Sequence, residues 1–201
     1  MQTKILALAL AVAAPCAAVA DDVRYKYLDI GYQIGGEVEY GFGTSKTDGY
    51  ALAAAFEVSD DWFIKFDYSS LATDPSIDDI DRHSLALGWH GELFYASLAW
   101  KGMEAAGTDG SGYGLELGLR SMVTESLELH GYFSTNDLGD AGKQIAYGGS
   151  AVWYFNRSAP DAHRVGLTFN YDLANVADFA GTPGFDVDST SYGLGLRVDF
   201  D

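Results

Sequence analysis

The sequence predicts an all-β protein: a closed antiparallel transmembrane β-barrel of ten strands, wound as an up-and-down meander. Three observations predict it. Beyond residue 20, apolar residues alternate with polar or small ones along most of the chain, the period of strands with one apolar and one polar face. The second face is mostly Gly, Ala and Ser with a few ionisable groups, which suits the crowded inside of a narrow closed barrel. Aromatic residues gather at the strand ends, where the two interfaces of a bilayer select them.

Each strand carries the alternation in its own residues. The first is Leu28, Ile30 and Tyr32, and the second Tyr50, Leu52, Ala54 and Phe56. In the third, Trp62, Ile64, Phe66 and Tyr68 alternate with Phe63, Lys65 and Asp67. Leu85, Leu87 and Trp89 mark the fourth, and Phe94, Ala96, Leu98 and Trp100 the fifth. In the sixth, Tyr113, Leu115, Leu117 and Leu119 alternate with Gly114, Glu116 and Gly118. The seventh holds Leu127, Leu129 and Phe133, and the eighth Ile145, Tyr147, Ala151, Trp153 and Phe155. Val165, Leu167, Phe169 and Tyr171 form the ninth, and Tyr192, Leu194, Leu196, Val198 and Phe200 the tenth. Eight strands is the alternative, if the first stretch and one other are discounted.

Composition narrows the classes. Of 201 residues, 48% are apolar, which argues against disorder. The 12 Lys and Arg against 29 Asp and Glu give a net charge of −17, the wrong sign for a phosphate backbone, so nucleic acid is not an expected partner. Richness in Gly and aromatics with scarce Lys and Arg excludes a helical bundle. A soluble β-sandwich would turn bulky Lys, Glu and Thr to water on its second face, whereas here that face is small.

Residues 1–20 read as a cleaved signal peptide, and 21–201 as the barrel domain. Lys4 supplies a positive start, Ile5 to Ala14 an apolar stretch, and Ala18-Val19-Ala20 a cleavage site before Asp21. The apolar run falls short of the roughly 20 residues of a spanning helix. A lipoprotein site at Cys16 is disfavoured by Pro15 before it. Cleavage removes the only Cys, so no disulfide is expected.

Short connections are expected near Ser59-Asp60, Gly91, Thr124 and Ser158. Long ones are expected over Gly35–Thr47, Ser70–Arg82, Gly102–Gly112, Asn136–Lys143 and Leu173–Ser189. Such alternation fits short periplasmic turns and long external loops, with both termini in the periplasm. The turn at Thr124 is expected to pair Arg120 directly with Glu128, Gly118 with His130, and Glu116 with Tyr132, all facing the lumen.

The whole chain after the leader resembles the small outer-membrane β-barrels of Gram-negative bacteria, the porin-like and OmpA-like transmembrane group. The signal peptide, the alternating hairpins and the terminal strand Tyr192-Gly-Leu-Gly-Leu-Arg-Val-Asp-Phe200 carry the resemblance. It implies export across the inner membrane to the cell outer membrane, with outer-membrane lipid and lipopolysaccharide as surroundings. It also implies periplasmic chaperones and the barrel-assembly machinery as partners, with Tyr192, Leu194, Leu196, Val198 and Phe200 as the assembly signal. Asp201 after Phe200 departs from the pattern of a terminal aromatic. A monomer is the expected state, and no feature names an extracellular ligand.

The candidate site is the set of charged residues that parity places in the lumen. They are Asp29, Glu57, Lys65, Asp67, Glu116, Arg120, Glu128, His130, Arg164, Arg197 and Asp199. Such a set either lines a selective narrow pore or forms an internal salt-bridge network that plugs the barrel. Plugging is the stronger expectation, because small barrels are just wide enough inside for side chains. Asp74, Asp78, Asp79 and Asp81 could collect a divalent cation, but their spacing misses the regular calcium loop and a solvated acidic loop is expected. Gly110 to Gly114 precedes no helix and cannot cradle phosphate. No cofactor or metal is expected.

The expected function is therefore non-enzymatic, with a structural, surface-interaction or narrow-pore role. A porin-like channel for small solutes is the alternative, and a lipid A-modifying or proteolytic enzyme comes third. The enzyme reading fails on geometry. His83 and Ser84 are adjacent on a strand and so face opposite ways. His90, His130 and His163 lie towards the other end.

Overall fold

The computed structural model describes residues 23–41, 43–74, 79–155 and 163–200. The expected leader, Asp78, the turn near Ser158 and Asp201 lie outside the described residues. Ten strands follow one another: β1 (Tyr27–Tyr40), β2 (Gly43–Ser59), β3 (Trp62–Asp74), β4 (Ile80–His90), β5 (Phe94–Ala105), β6 (Thr108–Thr124), β7 (Leu127–Asp137), β8 (Lys143–Tyr154), β9 (Arg164–Ala177) and β10 (Val187–Asp199). Every strand pairs antiparallel with its sequence neighbours, and β1 pairs with β10 to close the barrel. The expected ten-strand meander is what forms, and the eight-strand alternative is not. Closure leaves no sheet edge unpaired.

The predicted apolar face is the outer one. Ile30, Leu98 and Leu196 are 58%, 60% and 54% exposed, and the described outer surface carries a belt of such residues. Phe56, Trp62, Trp89, Phe94 and Trp153 rim the belt at the end that holds the termini. Tyr32, Tyr50, Trp100, Tyr113 and Tyr171 rim it at the other end. Two tyrosines of the far rim donate to acids above them, Tyr32 Oη to Asp48 and Tyr68 Oη to Asp81 Oδ1 at 3.3 Å.

The strands are longer than the alternation implied, and the expected long loops are mostly strand. β1 and β2 run on to Tyr40 and Gly43, and β5 and β6 to Ala105 and Thr108, so two residues join each pair. Strict alternation of short and long connections is therefore absent. Beyond the far aromatic rim the polarity of the wall reverses. Outward positions become polar, as at Glu37, Glu39, Lys46, Glu104 and Asp109. Many inward positions become apolar: Val38, Tyr40, Leu71, Ile80, Met103, Ala105, Val176 and Val187 pack as one buried cluster, beside buried Ser45, Thr47 and Thr73. This is the apolar-in, polar-out order of a barrel wall that stands in water. In β1 the switch coincides with a β-bulge after Gln33, where one extra residue shifts the register against both β2 and β10 and turns Val38 and Tyr40 inward.

Two connections fold into the far mouth. A single 3-10 turn, Gly139–Ala141, joins β7 to β8, and another, Phe179–Gly181, lies between β9 and β10. They bring Leu138, Ala141 and Phe179 into the same apolar cluster, with Phe185 packed on it. Gly110 of β6 makes the close approach possible, because a Cβ there would lie 2.4 Å from the Ala141 Cβ.

Candidate functional site: the lumen

Of the eleven charged residues assigned to the lumen from parity, Asp29, Arg120, Glu128, Arg164, Arg197 and Asp199 are buried, and most of the eleven are bonded to one another. At the terminal end, one connected layer of polar contacts runs through β6, β7, β8, β9, β10 and β1. Arg120 Nε and Nη2 donate to Glu128 Oε1 and Oε2 at 2.6 and 3.2 Å. Tyr154 Oη donates to Glu128 Oε2 at 3.0 Å, and Arg197 Nη1 to Glu128 Oε1 at 3.1 Å. Arg197 Nε also donates to Asp29 Oδ2 at 3.1 Å, which takes a further bond from Thr168 Oγ1 at 3.0 Å. Beside this layer, Arg164 Nη2 meets Asp199 Oδ2 at 2.9 Å. Glu128, Thr168 and Asp199 are fully buried. Buried charges persist only when paired and hydrogen-bonded, and here the partners come from six different strands.

A second set of contacts, drawn from β3 to β7 and β9, lies nearer the middle. Lys65 Nζ is 3.1 Å from Asp67 Oδ1 and 3.9 Å from Glu116 Oε1. Ser84 Oγ donates to Asp67 Oδ2 at 2.9 Å. Tyr95 Oη donates to Glu116 Oε1 at 2.8 Å and lies 2.7 Å from His130 Nε2. Tyr132 Oη donates to Asp172 Oδ1 at 2.6 Å, joining β7 to β9. Glu57 binds at the terminal rim, to Lys26 at 3.6 Å and to the Tyr25 backbone N–H at 3.1 Å.

The direct Arg120–Glu128 pairing and its neighbours are corrected. Arg120 lies opposite His130, Gly118 opposite Tyr132 and Glu116 opposite Ser134, while Glu128 faces Met122. The turn sits at Glu125-Ser126, one residue later than its expected centre, because Thr124 Oγ1 accepts from the Ser126 and Leu127 N–H groups and closes it. Moving a turn centre by one residue moves the register by two, which keeps every side chain on its face. The ion pair survives as a diagonal contact.

Aromatic rings fill the space that the charges leave, and these inward rings were missed from the alternation. Tyr25, Phe63 and Tyr95 pack together, and Tyr25 stacks on His90 with ring centroids 4.1 Å apart. Burial raises the Tyr25 hydroxyl above its ordinary pKa, against the pull of Arg120. Arg120 sits over the rings of Tyr25 and Tyr27, each 4.8 Å from its guanidinium. The signal was present in the glycines opposite. Phe63 faces Gly88 and Tyr95 faces Gly118. A Cβ on either glycine would come within 2.2 Å of the ring.

Between the terminal layer and the far apolar cluster lies a cavity of about 290 Å³. It is lined by Gln33, Lys65, Arg82, Lys101, Asp172 and other polar residues.

No catalytic set assembles among the described residues. His83 points outward onto Trp100, ring centroids 5.0 Å apart, while Ser84 points inward to Asp67. His90 lies on Tyr25, His130 on Tyr95, and His163 beside Phe200. Among the described residues no group of acids or histidines is arranged to hold a metal. Asp74 and Asp79 are exposed at the far end.

No protein-family profile and no curated protein matches the chain. Among solved structures it is similar to Neisserial surface protein A, at 14% identity, with 87% of this chain and 96% of that one covered and a TM-score of 0.41. It is also similar to the NanC porin, at 9% identity, 87% and 99% coverage and a TM-score of 0.42. The outer-membrane protein OprG from Pseudomonas aeruginosa is a third, at 12% identity, 88% and 97% coverage and a TM-score of 0.35. Likeness at this level says nothing of activity.

Proposed function

We propose that the chain is a non-enzymatic integral outer-membrane β-barrel whose lumen is closed, serving the envelope and its surface rather than conducting solutes. The apolar belt between two aromatic rims supports insertion in a bilayer, because water would not tolerate so large a continuous apolar surface. The even strand number sets both termini at one end, which in this reading is periplasmic. The acidic collar then faces the medium.

One observation supports the closed-lumen reading: side chains pack across the lumen towards both ends. Arg120, Glu128, Arg197 and Tyr154 block the terminal end with contacts at 2.6–3.2 Å, and the apolar cluster with Phe179 and Leu138 fills the far mouth. Refolded protein lacking residues 1–20, placed in a planar bilayer at neutral pH, should give no stable single-channel steps. Large, voltage-independent steps would overturn this reading and promote the second one, a porin-like channel, which the polar cavity between the two blocks favours.

A further inference from the structure

The charges around the cavity are unevenly satisfied. Four acids line it, and each has a partner: Asp29 with Arg197 and Thr168, Asp67 with Lys65 and Ser84, Glu116 with Tyr95, and Asp172 with Tyr132. Of the four cations that line it, Lys65 and Arg197 are paired. Arg82 and Lys101 also line the cavity. Arg82 Nε is buried with no acceptor. Asp172, five strands away in either direction, faces Arg82 across the cavity and acts on it by charge, with no hydrogen bond between them. The Gln33 side-chain carbonyl lines the same space, buried and without a donor.

A guanidinium Nε without an acceptor, an ammonium and an idle carbonyl are costly to bury unless something in the cavity answers them. Guanidinium and ammonium groups call for oxygens that carry negative charge, and the Gln33 carbonyl calls for a hydroxyl. We propose that the cavity is a binding site for a small oxyanion that also carries a hydroxyl group, held by Arg82 and Lys101. The site goes beyond the closed-lumen reading and is compatible with it, since an occupant between two blocks is held and not conducted. The cavity is smaller than most drug-sized pockets, roughly 300–1,000 Å³, so the occupant is of inorganic phosphate or short hydroxy-acid size.

The experiment is equilibrium dialysis of refolded protein lacking residues 1–20, in detergent, against radiolabelled inorganic phosphate. Sulfate, which carries no hydroxyl at neutral pH, is the competitor. Wild type should bind one phosphate per chain saturably, and sulfate should displace it at least tenfold less well than unlabelled phosphate. Arg82→Gln and Lys101→Gln should each weaken binding tenfold or more, and the exposed-site Lys143→Gln should leave it unchanged. Arg82→Lys keeps the charge and tests the site if Arg82→Gln folds poorly; it should bind more weakly than wild type and more tightly than Arg82→Gln. No saturable binding, or binding untouched by both cavity substitutions, would overturn the site. Binding lost on Lys143→Gln would place the anion outside and overturn it equally. Conductance separates this proposal from the preceding one, because a channel gives current whether or not phosphate is retained.

Discussion

Arg120 and Glu128 bond across the sheet without facing each other: Nε meets Oε1 at 2.6 Å, although Arg120 is registered against His130 and Glu128 against Met122. The diagonal offset leaves Glu128 free to accept from Arg197 at 3.1 Å and from Tyr154 at 3.0 Å. Glu128 is thus a hub for two guanidinium groups and a phenol rather than half of a pair.

The hub sets an expectation for charge substitutions. Glu128→Ala leaves buried Arg120 without its carboxylate and Arg197 with Asp29 alone, and should cost about 3–5 kcal/mol, the usual penalty for removing one partner of a buried ion pair. Exchange of the pair, Arg120→Glu with Glu128→Arg, should not restore stability, because the new arginine would sit beside Arg197. Urea unfolding in detergent reads both. Recovery of most of the loss in the double variant would show that Arg197 takes no part.

A second expectation concerns the glycine sockets. A side chain at Gly118 or Gly88 would overlap Tyr95 or Phe63 at 2.2 Å, and overpacking of this kind costs roughly 1–3 kcal/mol or more. Gly118→Val and Gly88→Val should lower the temperature at which the folded gel band converts to the unfolded one. Gly43→Ala, with open space around it, is the control and should not shift it. Equal behaviour of the three would mean that the rings do not fill the lumen.

Face and partner were not equally legible in the sequence. Alternation at Tyr113 to Leu119 or Tyr192 to Phe200 assigns each residue to a side, and that assignment tolerates a two-residue slip. The partner of Arg120 does not, because it depends on how Thr124 closes the turn. The collar was hidden for another reason. Val38 and Tyr40 change phase at a bulge, and Leu71, Ile80 and Met103 lie inward where the outer face has turned polar. A search for an outward apolar stripe stops at the aromatic rim and reads the rest as loop. The orphaned Arg82 Nε was beyond reach, since it depends on how side chains from several strands settle around the lumen and not on the alternation of one.

Lipid exposure of the belt is tested by placing a cysteine at Leu117, which is 51% exposed on the outer face, and another at Gly91 in the β4–β5 turn. The first should resist a water-soluble maleimide in reconstituted vesicles and react in detergent-free denaturant. The second should react only from the side of the termini. Rapid labelling at Leu117 in the folded, lipid-embedded state would remove the belt from the bilayer.

The final expectation separates the two halves of the wall. Leu71 lies beyond the far aromatic rim, is 2% exposed and packs in the inner apolar cluster. Leu98 lies within the belt and is 60% exposed. Were the chain a uniform transmembrane cylinder with floppy external loops, Leu98 would matter and Leu71 would not. The reversed polarity demands the opposite order. Leu71→Ala opens a hole among Val38, Ile80 and Met103 and should cost about 2–5 kcal/mol, as core truncations do. Leu98→Ala removes contacts only with lipid or detergent, which refill the gap, and should cost less than about 1 kcal/mol. Urea unfolding of both variants in the same micelle measures the difference. If Leu71→Ala proved as mild as Leu98→Ala, the collar would have no packed interior, and the far mouth would lose its plug.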